Sequence, residues 1–150
     1  MIYFAYGSNM DPSQMSDRAI RYDRLFLAKL PKHRLVFNKR SSRNPQAVFA
    51  NVVRDRKSDV WGIAYEGITL RGIDLLDQYE GAPRHYRRTW RIIRGEDDER
   101  IRATVYVAQP QWVVEGMNPP EYYLEKLLRA SSLLPPWYVL ELQSVEVAAC

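Results

Sequence analysis

The chain opens on Ile2-Tyr3-Phe4-Ala5-Tyr6, a β-branched and aromatic run that stops at Gly7-Ser8-Asn9. This pattern predicts a buried strand running into a turn. Asp11-Pro12 supplies an N-cap and a first-turn proline for a short helix through Met15 toward Ile20. Residues 25–37 mix Leu, Phe and Val with Lys and Arg and are broken at Pro31, which predicts one or two strands before a polar loop at 41–45. Two further β runs, 47–53 and 60–65, flank the charged segment 54–59 and predict a hairpin. The period then changes. Leu70, Ile73, Leu76 and Tyr79 recur at helical spacing and Gly81 follows, so a helix is predicted over 69–79 with Glu80 at its C-terminal end. Residues 86–94 and 101–108 form a second predicted hairpin around 95–100. After Pro120 a helix carries Leu124, Leu127 and Leu128 on one face, and Pro135-Pro136 separates it from residues 137–147.

The sum is five to seven short, mostly antiparallel strands with one helix between two hairpins. This is an α+β pattern whose sheet could curl into a barrel. With 150 residues, 46% of them hydrophobic and 27% charged, the chain is expected to be one folded domain over 1–150 rather than disordered. No run approaches the roughly eighteen apolar residues of a membrane span, and the opening lacks the basic and small-residue signature of a secretory signal. A cytoplasmic protein without a membrane partner is expected. The one cysteine, Cys150, permits no intramolecular disulfide and is expected to sit in a frayed tail.

A net charge of +4 raises nucleic acid as a partner. The densest basic cluster, Arg84 to Arg88, is followed closely by Glu96-Asp97-Asp98-Glu99. Strand alternation also places Tyr86, Arg88 and Trp90 opposite Arg87 and Arg91, which splits the basic and stacking groups, so no nucleic acid is expected. Glycine-rich phosphate loops, GxSxG elbows and histidine metal motifs are absent from a chain with only His33 and His85. Neither a metal nor any other cofactor is expected. A Ser8–His85 dyad is conceivable, but a lone histidine in an Arg-rich strand more often serves a hydrogen-bonding role.

Two features offer chemistry. Tyr6-Gly7-Ser8-Asn9 could point successive N–H groups outward to hold an anion or oxyanion, or could be a tight turn with an Asx cap. Glu80, at the negative end of a helix dipole, would have a raised pKa suited to a proton acceptor, or could be an exposed glutamate before a C-cap glycine.

Taken together, Phe4-Ala5-Tyr6-Gly7-Ser8-Asn9-Met10, Val60-Trp61-Gly62, Leu76-Asp77 with Glu80-Gly81 then Tyr86, and Leu134-Pro135 with Tyr138 and Leu142 resemble the γ-glutamylcyclotransferase family over nearly the whole chain. The resemblance implies a small mixed, mostly antiparallel β-barrel with flanking helices. It implies Glu80 as the acid/base, Tyr6, Gly7, Ser8 and Asn9 as the substrate-binding loop, and Tyr86 and Tyr138 as pocket tyrosines. Pro120-Glu121-Tyr122-Tyr123 with Leu127 repeats the spacing around Tyr138, which is preferred because it alone has the leading leucine.

The implied reaction has the α-amine of a γ-glutamyl group attack its own γ-carbonyl, giving 5-oxoproline and a free amine or amino acid. The nucleophile belongs to the small-molecule substrate, so no catalytic Ser, Cys or metal is required. A γ-glutamylamine- or glutathione-directed enzyme and a non-catalytic γ-glutamyl binding domain are the alternatives, in a monomer or homodimer. Relatives of the first kind more often carry Tyr-Gly-Ser-Leu or Tyr-Gly-Thr-Leu than the Tyr-Gly-Ser-Asn found in this chain.

Overall fold

In the computed structural model, which describes residues 1–149, the first apolar run forms strand β1 (Ile2–Ala5) and gives way to a 3-10 turn at Ser8–Met10. Cys150 lies outside the described residues. Helix α1 (Pro12–Asp17) follows, with the Asp11 carboxylate accepting from the Ser13 N–H at 3.0 Å and Pro12 in its first turn, as the sequence predicts. The remaining elements are β2 (Arg24–Arg40), β3 (Val48–Glu66), α2 (Leu70–Glu80), β4 (Tyr86–Arg94), β5 (Arg100–Ala108), α3 (Glu121–Leu128) and α4 (Pro136–Gln143). The strands close into a barrel in the order β1-β3-β2-β4-β5. All pairs are antiparallel except β1 with β5, which meet in parallel at Tyr3 and Thr104. The fold is α+β, a five-stranded mixed barrel with four flanking helices, and closure removes the open sheet edges that invite aggregation.

The predicted hairpin across residues 54–59 is absent. Val48–Glu66 is one strand, and it pairs with β2 from Arg24 opposite Glu66 to Arg40 opposite Val48, so the reversal lies at 41–47. Between the successive pairs Pro31–Asp59 and His33–Arg54, residues 55–58 bulge out against Lys32 alone. The Asp55 carboxylate accepts from the Lys57 N–H and the Ser58 hydroxyl, both at 3.0 Å. Turn-forming residues therefore make a local excursion without reversing the chain. A smaller bulge sits between the pairs Phe37–Ala50 and Lys39–Phe49, leaving consecutive residues Asn38 and Lys39 both buried. It is pinned by Asn51, whose side chain donates to Asn38 Oδ1 at 3.0 Å and accepts from the Ala108 N–H at 3.0 Å.

Helix α2 crosses from β3 to β4, as the inserted helical period predicts. The Thr69 hydroxyl caps its start by accepting from the Gly72 N–H at 3.1 Å, and Gly81, at φ 64°, ends it in the left-handed conformation. Its buried stripe is narrower than the sequence period implies. Ile73 and Leu76 are buried, whereas Leu70 is 77% exposed in the first turn and the Tyr79 ring lies outside, 4.5 Å beneath the Arg18 guanidinium. Leu76 is the anchor that holds the helix to the barrel, and truncating such a fully buried leucine to alanine costs about 2–5 kcal/mol. Helices α3 and α4 pack Tyr123 and Leu127, and Tyr138 and Leu142, against the same core; Leu124 is buried as well, while Leu128 is only partly covered. Among the described residues no helix is long and apolar enough to cross a membrane.

Candidate active site

Strand β1 delivers Tyr6 and Gly7 to one end of the barrel. Hydrogen bonds from Met10 N–H to Gly7 O (3.0 Å) and from Asp11 N–H to Ser8 O (3.2 Å) close the turn, and the N–H groups of Gly7, Ser8 and Asn9 close neither. Buried Asn9 is the turn's anchor. Its amide donates to the Tyr3 hydroxyl (3.0 Å), its Oδ1 accepts from Gln14 and Arg18 (both 2.9 Å), and its carbonyl accepts from the Tyr65 hydroxyl (2.6 Å). Ser8 Oγ accepts from Gln14 at 2.7 Å. Helix α1 therefore braces the turn, and the two polar side chains of the motif hold it in shape. At Gly7 a Cβ would stand 3.1 Å from the Tyr123 hydroxyl oxygen, so the absence of a side chain lets that hydroxyl approach the backbone.

Opposite the turn, Glu80 is the last residue of α2. One helical turn earlier, Asp77 is fixed by the Tyr106 hydroxyl (2.6 Å) and Arg88 (3.1 Å), and the Tyr6 hydroxyl donates to the Tyr106 carbonyl (2.5 Å). These bonds lock β1, β5 and the end of α2 together. Between them lies a cavity of ≈ 50 Å³ lined by Glu80, the Gly7-Ser8-Asn9 turn, Ala50 and five tyrosines, at positions 3, 6, 86, 106 and 123. Ala50 on β3 ties two of the rings in place. Its carbonyl accepts from the Tyr86 hydroxyl (2.8 Å) and its N–H donates to the Tyr123 oxygen (3.1 Å). Burial raises the pKa of every one of these phenols, so all five stay protonated. Tyr6, Tyr86 and Tyr106 already spend that proton on protein acceptors. The Tyr3 and Tyr123 hydroxyls accept bonds from the protein and keep their own protons for a guest.

The Glu80 carboxyl takes no hydrogen bond from the described residues. Loss of water around it pushes its pKa up to about 7, against the opposing pull of Arg18 and Lys39. Burial thus takes the part that the helix dipole plays in the sequence argument. The residue as a whole keeps some exposed surface and also borders a wider basin of ≈ 570 Å³ outside the cavity. There Lys39 Nζ lies 2.9 Å from His85 Nδ1, and desolvation lowers the lysine pKa to about 8. His85 stacks on Trp112 with ring centroids 4.2 Å apart. With Ser8 Oγ bonded to Gln14 and His85 Nδ1 to Lys39, each half of the conceivable Ser8–His85 dyad is engaged elsewhere.

Of the residues singled out in the sequence, Tyr6, Gly7, Ser8, Asn9, Glu80 and Tyr86 all border the one cavity. Tyr138 does not; it lines a separate pocket. It is buried at the base of α4 with Trp61 and Phe37, while the repeated spacing at Pro120 places Tyr123 in the cavity instead. The leading leucine is a packing residue: Leu134 belongs to the core beneath α4. Tyr3, Tyr106 and Ala50 went unmarked in the sequence. Tyr3 carried the one legible signal, an aromatic inside the strand that feeds the turn.

No curated protein sequence matches the chain. Solved structures do. A gamma-glutamyl cyclotransferase superposes with a TM-score of 0.87 at 20% identity, covering 100% of this chain and 90% of that one. An uncharacterised protein from Homo sapiens gives 0.86 at 20%, covering 99% and 89%. A yeast gamma-glutamyl cyclotransferase specific to glutathione gives 0.69 at 12%, covering 95% and 93%. At these identities the likeness concerns the fold. The sequence profile of the gamma-glutamyl cyclotransferase, AIG2-like family matches residues 3–125, a stretch that carries the Gly7 turn, Glu80, Tyr86 and Tyr123. The chain belongs to the gamma-glutamyl cyclotransferase, AIG2-like family.

Proposed function

We propose that the chain converts a γ-glutamyl amino acid or amine to 5-oxoproline and the free amine, with Glu80 as general acid/base. The observation that carries the reading is a carboxyl with a pKa raised to about 7, free of protein donors, lining the same small cavity as the Gly7 turn. At neutral pH such a group is divided between its two forms and can both accept and return a proton. In the proposed step Glu80 takes a proton from the substrate's α-ammonium. The freed nitrogen forms a bond to the γ-carbonyl carbon and gives up a second proton, the bond from that carbon to the departing nitrogen breaks, and both protons end on the departing nitrogen, which leaves as an ammonium. The attacking and attacked groups are already tethered, so the protein supplies orientation, a water-poor cavity and proton transfer. The Gly7-to-Asn9 N–H groups and the uncommitted Tyr3 and Tyr123 hydroxyls are the donors available to the substrate carboxylate or the tetrahedral oxyanion.

Incubation with a panel of γ-glutamyl amino acids and amines is expected to release 5-oxoproline, detected chromatographically. Saturable binding without 5-oxoproline from any member would replace the enzyme with a binding domain. The placement of the two tyrosines predicts a contrast within the same assay. Tyr123→Phe removes an oxygen that accepts from a buried N–H and a proton free for the substrate, and is expected to lower kcat/KM about tenfold or more. Tyr138→Phe should leave kcat/KM within about twofold of the parent value, since the hydroxyl it removes lies outside the cavity that holds Glu80 and the Gly7 turn.

A further inference from the structure

Lys39 is 5% exposed, and its ammonium forms no ion pair among the described residues. Its one polar partner is the His85 ring nitrogen at 2.9 Å, and the Trp112 and Tyr86 rings lie 4.9 and 5.5 Å from Nζ. A buried ammonium that owns three donors and engages one is incompletely satisfied, and its natural complement is an anion. The surrounding basin adds Arg43 and Lys126 to its lining, and its one carboxylate is that of Glu80. Arg18 also borders it but is held by Asn9 and Tyr79. The basin opens outward from the cavity and shares Ser8, Glu80, Tyr86 and Tyr123 with it. A γ-glutamyl group bound in the cavity would therefore extend its leaving portion toward Lys39.

Resting on the function proposed above, we infer that the basin is a subsite for a carboxylate in the leaving group, received by Lys39, so that γ-glutamyl amino acids or peptides are preferred over γ-glutamyl amines. Arg43 and Lys126, at the rim, add long-range attraction for the same charge. The buried Lys39 donor in the wall of the basin sets the selection.

The test compares L-γ-glutamyl-L-alanine with γ-glutamylethylamide, which lacks only the leaving-group carboxylate. The parent protein is expected to favour the first by at least about tenfold in kcat/KM, the value of one charge-assisted hydrogen bond. Lys39 also acts on Glu80, so its replacement changes turnover of both substrates; their ratio cancels that common factor. Lys39→Met, which keeps the apolar stem, should collapse the ratio to within about threefold, and Lys39→Arg should restore most of it. A parent ratio near one, or a ratio unchanged in Lys39→Met, overturns the inference while leaving the cyclotransferase reading intact. Isothermal titration calorimetry with the same two compounds separates the claims if neither is turned over. Tighter binding of γ-glutamyl-alanine that Lys39→Met abolishes upholds the subsite without the chemistry, and equal or absent binding of the two overturns it.

Discussion

Glu80→Gln is expected to lower kcat by about three orders of magnitude with a γ-glutamyl substrate, in the range that loss of a positioned general acid/base produces, while the fold is retained. The amide has nearly the same shape but cannot take up a proton. The same variant has a second expected signature, in stability. Burial raises the carboxyl pKa from its ordinary 4.5 to about 7 in the folded protein. Below pH 4.5 the group is protonated in both folded and unfolded chains and nothing is lost. Between 4.5 and 7 the unfolded chain releases the proton while the folded chain retains it, so stability falls as pH rises and levels off above 7. The shift corresponds to at most about 3 kcal/mol, less to the extent that water reaches the carboxyl. Glu80→Gln removes this dependence. Its melting temperature should exceed that of the parent at pH 8 by several degrees, up to about 10 °C, and the gain should shrink toward pH 4.5. Thermal melts at the two pH values together with a 5-oxoproline assay check both halves. A catalytically dead variant with no pH-dependent gain in stability would place the carboxyl in water rather than in the cavity.

Gly62→Ala should be the most disruptive single methyl in the barrel. A Cβ there would stand 2.3 Å from the Ala5 carbonyl oxygen and 2.8 Å from Phe4 Cζ, both buried in β1. Neither neighbour can yield, because Phe4 and Ala5 are paired with Ala64 and Ile63 of β3 and closed over by the core. Strand β1 would have to move away from β3, and it is β1 that carries Tyr6 and Gly7 into the cavity. Overpacking of this kind costs typically 1–3 kcal/mol, and a backbone atom as the obstacle places this case at about 3 or above. A fall in melting temperature of about 6–12 °C is expected for a chain of this size. Activity should decline with it, because the added methyl presses on Phe4, which lines the cavity, although it adds no polar group. Unchanged melting would show that β1 and β3 are not held at this separation.

Six residues named from the sequence border one cavity, whereas the barrel's longest ribbon was not legible. β1, α2 and the β4–β5 hairpin each had period, caps and turn residues in agreement, and the structure follows all three. Residues 54–59 had turn chemistry too, but turn chemistry specifies a local excursion and says nothing of what pairs on either side; β2 does that, and it overrides. Glu80 was legible because the glycine that must follow it to stop the helix is a strong local signal. Its raised pKa was anticipated for the helix end, whereas burial is the cause, and burial is a tertiary property that one segment does not display. The tyrosines show the same divide. Two copies of one spacing, around Tyr123 and Tyr138, are alike in the chain, and the folded position of Gly7, whose missing side chain leaves room for a hydroxyl, selects between them.

The bulge that buries Asn38 and Lys39 side by side has an evolutionary consequence. Alternation along a strand would send two neighbours to opposite faces, and here the extra residue turns the amine inward. Removing one residue from β2 at that point would erase the bulge and its Asn38–Asn51 bond, and with them the placement of the amine beside His85. On the function and subsite proposed above, a one-codon insertion or deletion in β2 would alter which leaving group is preferred with Glu80 untouched, a kind of change that column-by-column comparison of aligned residues is poorly suited to notice.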